Sequence, residues 1–387
     1  MRISISTSIT DIDPAARDAL DRGGVPFLRH AFLAGLESTG CVGRGTGWIP
    51  TPVTLHDAHG LAAAAPVYVK THSMGEFVFD FSWAQAYAQH GLEYYPKLVV
   101  GVPFTPATAP RLLVRPGVDA GAARKALVLA IEELAASREL SSIHGLFLND
   151  ADREAFAEAG WLSRFDVQFH WINQGYRDYE HFLEGFTTKF RKNARRERRR
   201  VNEADIHIDT LLGSALERHT IDEVYDLHRD TFLKHGHDPY LTRDFFRLLP
   251  KALGDEFMVK RARLGEETVA AAVFYWHPAA LYGRYWGTRE QFHSLHFELC
   301  YHQGIDFCIE RGIGRFEPGT QGEHKVSRGF VPKRTWSMHW IVDSRFRQAI
   351  GDYLRREGVH VANYAHEVGL HVPYRDARRE ARAKEGR

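Results

Sequence analysis

Cysteine is scarce. Cys41, Cys300 and Cys308 are the only three in 387 residues, and none stands in a CxxC spacing. That excludes a disulfide framework and a thiolate metal clip, favours a reducing compartment, and leaves the three as small buried hydrophobes. Long apolar runs are missing as well: nothing approaches the ~18 uninterrupted apolar residues of a membrane span. The opening MRISIS, followed by Asp11 and Asp13, has no apolar signal core. A cytoplasmic chain is expected. An excess of one charge is also lacking. Lys and Arg number 50 against 49 Asp and Glu, for a net charge of +1, so the chain is neither a disordered polyanion nor a globally basic nucleic-acid protein. There is no GxSxG, HExxH or Walker loop, which argues against a serine hydrolase, a zinc protease and an NTPase.

What is present suits two cores. Hydrophobic residues make up 44% and aromatics 12% of a chain too long for one ordinary domain. Strands and helices alternate, and the order occurs twice. The first half reads as strands over 52–56 and 61–71 around a turn at 58–60, then a short apolar strand over 97–104 (KLVVGVPF). Asp119 caps a helix over 120–138, where Leu127, Ile131 and Leu134 recur at helical spacing. A strand at 143–148, a short helix from Asn149 and Asp150 to 159, and a strand at 167–172 follow. An aromatic, helical-looking insertion occupies 73–96. The second half gives strands at 257–264, 268–276 and 281–286, a helix over 292–311 stopped by Gly312, and strands at 314–317 and 335–342. LAAAAPVY at 61–68 echoes VAAAVFY at 269–275. We therefore expect an α/β chain with two mixed sheets flanked by helices. The domains are drawn at 1–175 and 176–345, with a helical segment and charged tail over 346–387.

The chemistry concentrates in RFEPGTQGEHKVSRGFVP at 315–332. A strand delivers Glu317 at its end, and Gly319, Gly322 and Gly329 let the backbone turn tightly or approach a ligand. Acyl transfer to an amine needs a proton acceptor and donors for a tetrahedral oxyanion. Glu317, Glu323 or His324 suits the first task. Lys325, Arg328 or glycine-flanked N–H groups suit the second. The bland alternative is a polar surface loop with internal ion pairs.

FEPGTQGEHKVSRGF, the preceding LHFELCYHQGIDFCIERG and the first-half YYPKLVVGVPFTPATAPRLL resemble the FemAB-like predicted N-acyltransferases, over roughly residues 25–375. The resemblance implies tandem GNAT (acyl-CoA N-acyltransferase) folds, each sheet splayed between its fourth and fifth strands, with the active site in the second. It implies transfer of an acyl or aminoacyl group to an amine such as a peptidoglycan precursor. It carries over, as motif positions, Pro103, Phe104, Thr105, Pro106, Pro110, Arg111, Glu317, Pro318, Gly319, Gln321, Gly322, Glu323, His324, Lys325, Arg328, Gly329 and Phe330. An acyl-CoA enzyme of this fold carries a Q/R-x-x-G-x-G/A loop after its fourth strand, whose N–H groups hold pyrophosphate. Here 287–294 (GTREQFHS) has one glycine, and the prolines of 105–111 remove donors. That shifts the donor towards aminoacyl-tRNA. Neither donor is a tightly bound cofactor. The rival readings are an acetyl-CoA-dependent N-acetyltransferase and a non-catalytic module that binds a cell-wall precursor or RNA.

Between the halves, 189–200 (KFRKNARRERRR) has eight Lys or Arg in twelve residues and one acid, Glu197. A helix here shows cations on every side. That suits phosphate or tRNA contact, or is simply a solvated connector. Arg284 and Trp286 are expected on one side of a strand and Tyr285 on the other. Tyr285 reads as a general acid or, more simply, as core. His296 lines a substrate cleft, Glu298 faces solvent, and Asp80 binds an amine acceptor. His293 and His296 lack a third ligand, so no metal is expected.

Overall fold

The computed structural model describes residues 1–290, 292–320 and 322–375, so Gln321 and the charged tail beyond 375 lie outside the described residues. Contacts divide the chain into two units, 1–166 with 334–361 and 167–333 with the C-terminal stretch from 362.

The first unit contains β1 (Arg2–Ile5), β2 (Trp48–Pro50), β3 (Val53–Asp57), β4 (Gly60–Ala65), β5 (Val67–Lys70), β6 (Lys97–Val100), β7 (Leu113–Val114) and β8 (Ser142–Leu148). Strand β9 (Leu162–Ile172) leads into the second unit, which adds β10 (Ile206–Leu212), β11 (Phe257–Leu264), β12 (Glu267–His277), β13 (Ala280–Thr288) and β14 (Arg315–Glu317). Strand β15 (Val331–Ile341) returns to the first unit.

The second unit's sheet runs β10-β11-β12-β13-β14-β9, and among the described residues only β13–β14 is a parallel pair in it. The first unit has two sheets, β1-β3-β4-β7 and β15-β8-β6-β5-β2. The split follows from one residue. The run read as a single strand over 61–71 breaks at Pro66, which has no N–H for the ladder. Opposite it the strand expected over 97–104 stops at Val100. The chain then loops through 101–112 and resumes as β7, where Leu113 and Val114 face Ala64 and Ala63. In the second unit the corresponding strand is continuous. β13 passes β12 with one extra residue, Arg284, between the pairs Phe274–Gly283 and Val273–Tyr285.

Helices form where their caps stand. The Asp119 carboxylate accepts from Ala122 N–H at the start of Ala120–Ser137, and Asn149 does the same for Asp150–Glu158. Leu127, Ile131 and Leu134 bury on Leu98, Val100 and Phe156, and a second core gathers Met258, Phe274, Leu281, Leu299, Ile305, Phe316 and Phe330. The aromatic insertion supplies the helix Phe81–Gln89. Its Trp83 and Tyr87 pack with Phe346, Ile350 and Leu354 from the long helix Ser344–Gly369.

The domain boundaries drawn at 175 and 345 therefore shift. The strand expected at 335–342 in the second half pairs with β8 of the first unit, from Trp336–Leu148 to Ile341–Ser142. The helix expected from 292 begins at Leu295, after Ser294 in a left-handed conformation, and passes through a π-helical turn, Glu298–His302, before Gln303–Arg311. No described helix is long and apolar enough to cross a membrane.

Candidate active site

Strands β13 and β14 run parallel for three residue pairs, Ala280–Arg315, Leu281–Phe316 and Tyr282–Glu317. There β14 ends. The chain turns at Pro318 and Gly319, the latter at φ +95°, while β13 continues to Thr288. The gap is a cavity of about 300 Å³, with Gly283, Arg284, Tyr285 and Trp286 on one side and Pro318, Gly319 and Thr320 on the other. His296, Cys300, Tyr301, His324 and Lys325 complete its wall with Ala272, Val273 and Phe274.

The acidic–basic segment after residue 316 thus reaches a cavity, but its members part company. A short 3₁₀ turn, Glu323–Arg328, presents His324 and Lys325. Lys325 is buried and its Nζ donates to Gly319 O at 2.9 Å. Burial pushes its amine down to about 8. His324 Nε2 lies 2.8 Å from the Tyr301 hydroxyl. The residue is exposed, but partial burial of its ring, then the charges of Lys325 and Arg328, lower its pKa. Burial also holds His296 down to about 4, so it is a neutral ring in the wall. The described lining includes no carboxylate.

Glu317 is buried outside that lining. It pairs with Arg315 at 2.8 Å and lies 3.9 Å from His170. Glu323 accepts from the Tyr364 hydroxyl at 2.9 Å. Gly322, at φ +115°, bends the chain directly before the turn. Arg328 does not line the cavity. Its guanidinium lies 3.4 Å from the Phe297 ring centre, donates to His324 O at 2.6 Å, and pairs with Glu197 at 2.5 Å. Tyr285 packs on His228 at 4.7 Å and Trp286 on His296 at 5.2 Å; the bulge at Arg284 interrupts the simple alternation, and all three residues reach the cavity lining.

The first-half candidates stay inside the first unit. Asp80 is bound to buried Lys97 and accepts from Tyr94 at 2.6 Å. Phe104 packs on Trp48, and the Thr105 hydroxyl donates to Pro103 O. Buried Arg111 spends its guanidinium on Leu146 O at 3.1 Å and Ala107 O at 2.8 Å.

Sequence reading passed over Tyr301 and Cys300, which the π turn aims at the cavity; such turns recur at functional sites. Glu298, expected in solvent, is buried and pairs with Arg198 at 3.3 Å. The basic run is the helix Thr188–Asn202, and it does not show cations on every side. Ala194 and Val201 are buried, and Arg198 turns in to Asp306 at 2.5 Å. Lys189, Lys192, Arg195, Arg196, Arg199 and Arg200 remain exposed.

A profile of the FemAB-like family, described as peptidoglycan biosynthesis/recognition, matches residues 8–376. No curated protein matches the chain. Among solved structures, FemX superposes with a TM-score of 0.54 at 10% identity, over 91% of this chain and 100% of its own. L-PGS from Bacillus licheniformis gives 0.48 at 12% identity, over 83% and 94% respectively. A tandem GNAT protein from the clavulanic acid biosynthesis pathway gives 0.44 at 10%, over 88% and 99%. At such identities the likeness speaks for fold alone. Two units, each built on a mixed sheet with a parallel strand pair, have the tandem GNAT architecture, and the chain belongs to the FemAB-like family of peptidoglycan biosynthesis/recognition.

Proposed function

We infer that the chain transfers an acyl or aminoacyl group to the amine of a peptidoglycan-precursor or similar peptide-like acceptor, and that the reaction takes place in the cavity beyond β13–β14. The observation that carries this reading is the convergence of His324, Tyr301 and Lys325 at the open end of a parallel strand pair. An ammonium acceptor must lose a proton before it attacks. In this reading the His324 imidazole, held below its ordinary pKa and hydrogen-bonded to the Tyr301 hydroxyl, receives it. As the carbonyl becomes tetrahedral its oxygen gains charge. The Lys325 ammonium, in a wall whose described residues include no carboxylate, would stabilise it. Glu317 and Glu323, each engaged elsewhere, are assigned no proton transfer.

The donor we propose is an aminoacyl-tRNA. Gly287, the one glycine of 287–294, is taken up by packing: a Cβ there would meet the Leu227 backbone carbonyl at 2.3 Å. It is therefore not free to cradle a pyrophosphate. The exposed cations of Thr188–Asn202 offer a phosphate-contacting face. The decisive experiment incubates the protein with a panel of aminoacyl-tRNAs, or with acetyl-CoA, and a precursor peptide bearing a free side-chain amine. A product mass increased by the aminoacyl residue is expected. Clean micromolar acetyl-CoA binding with an acetylated product would reassign the donor. No product from any donor, with peptide binding that survives His324→Gln and Lys325→Ala, would reduce the chain to a binding module.

A further inference from the structure

The single acid of the basic run is aimed inward. Glu197 receives Arg328 Nη2 at 2.5 Å on one oxygen and Nε at 3.0 Å on the other. The second oxygen also lies 2.9 Å from His302 Nε2, and His302 Nδ1 lies 2.6 Å from the Tyr179 hydroxyl. Burial pushes this carboxyl upward, but the His302 hydrogen bond and the Arg328 charge outweigh it and hold it below its ordinary value.

These partners belong to the two elements that build the cavity wall. Arg328 ends the turn carrying His324 and Lys325, and donates from Nη1 to His324 O at 2.6 Å. His302 ends the π turn carrying Cys300 and Tyr301. One carboxylate therefore links both halves of the His324–Tyr301 hydrogen bond. Arg198, the next residue, adds pairs to Glu298 and Asp306 on the same segment.

The geometry points to Glu197 as a positioning residue that sets His324 and Tyr301 in register through Arg328 and His302, a role that rests on the acyltransfer reading of the cavity. Removing its charge leaves Arg328 uncompensated beside His324 and frees both turns to drift.

The test follows the His324 imidazole by NMR, its signal identified by its loss in His324→Gln, alongside transfer kinetics and thermal unfolding. In Glu197→Gln the His324 titration falls by about half a unit or more, because an unbalanced cation faces it. kcat drops roughly tenfold or more with KM little changed, because reacting groups are misaligned. Glu197→Asp recovers part of both. If Glu197→Gln does not fold, Arg328→Lys, which keeps the charge but loses the two-pronged geometry, displaces the His324 signal instead. An unchanged His324 titration in Glu197→Gln, or an unmoved His324 signal in Arg328→Lys where only that variant folds, overturns the assignment. Absence of transfer in the wild-type protein would sink the catalytic reading alone and leave the NMR comparison standing.

Discussion

Each unit has one parallel strand pair, β6–β8 in the first and β13–β14 in the second, and the two crevices beside them have opposite fates. In the second, a one-residue bulge at Arg284 and a glycine turn leave a cavity. In the first, the loop 101–112 stands where the second has its bulge, and the crevice is stitched shut. Ala109 bridges to Leu148, Arg111 fills its surroundings with carbonyl contacts, and the Asp152 carboxylate accepts from the N–H groups of Arg111 and Leu112 at 2.5 and 3.0 Å. The same topology thus serves once as scaffold and once as container. Which it becomes depends on whether the chain supplies its own polar plug.

The sharpest way to break this contrast is to remove the plug. Arg111→Ala leaves the carbonyls of Leu146 and Ala107 without their donor and opens a void, and should cost about 3–4 kcal/mol in urea unfolding. Transfer by the folded fraction should persist. Lys325→Met is the converse. It removes a buried amine that, among the described residues, donates to the Gly319 carbonyl and pairs with no carboxylate, so stability should hold or rise. Transfer should fall roughly a hundredfold in kcat. Equal stability losses in the two variants would erase the distinction between the crevices.

The contrast also shows what the sequence could and could not say. Capped helices such as 120–138 and 150–159, and strands with clean apolar runs such as 268–276, were readable because local chemistry decides them. Pro66 was visible but its consequence was not, since a missing N–H matters only opposite a particular partner strand. The return of residues 334–341 to β8 has no local signal: its apolar alternation suits either unit. In the loop after 316 the residue types announced chemistry. The fold then sorted them, sending exposed His324 and buried Lys325 to the cavity wall, Glu323 to Tyr364 and Arg328 to Glu197. Arg111 carried the same family signal as Lys325, and only the register of the first unit shows it to be structural. Glu197 did stand out, as the lone acid in a basic run, but its direction depends on helix phase against a distant loop.

Acid should separate the units next. Across β8 and β15, His144 Nδ1 lies 2.7 Å from His339 Nδ1, each ring also bonded to a serine. Burial drives His144 from 6.5 down to about 3 and His339 well below its ordinary value. Between those pH values the unfolded chain binds more protons, so the pair's contribution is intact above about 6.5 and drains away as pH falls. Urea midpoints should drop by the equivalent of about 2 kcal/mol towards about pH 4. His339→Asn should flatten that slope. At the alkaline end the second unit responds with the same sign in a separate pH window. Lys325 titrates from about 8 folded against 10.5 unfolded, so stability rises with pH across that window, and Lys325→Met should lack the rise.

The smallest effect tests how finely the open crevice is shaped. Gly322 sits at φ +115°, and an added Cβ would fall 2.3 Å from the His324 ring. Gly322→Ala must strain the backbone and push the imidazole away from Tyr301. Gly45→Ala, at φ +85° with nothing within 4 Å of the new carbon, imposes comparable strain in the first unit without touching a ring. Both should cost about 1 kcal/mol of stability. Only Gly322→Ala should lower kcat and move the His324 NMR signal. If the two variants behave alike in transfer, the glycine is there for the turn, and the position of the His324 ring is not what the cavity requires.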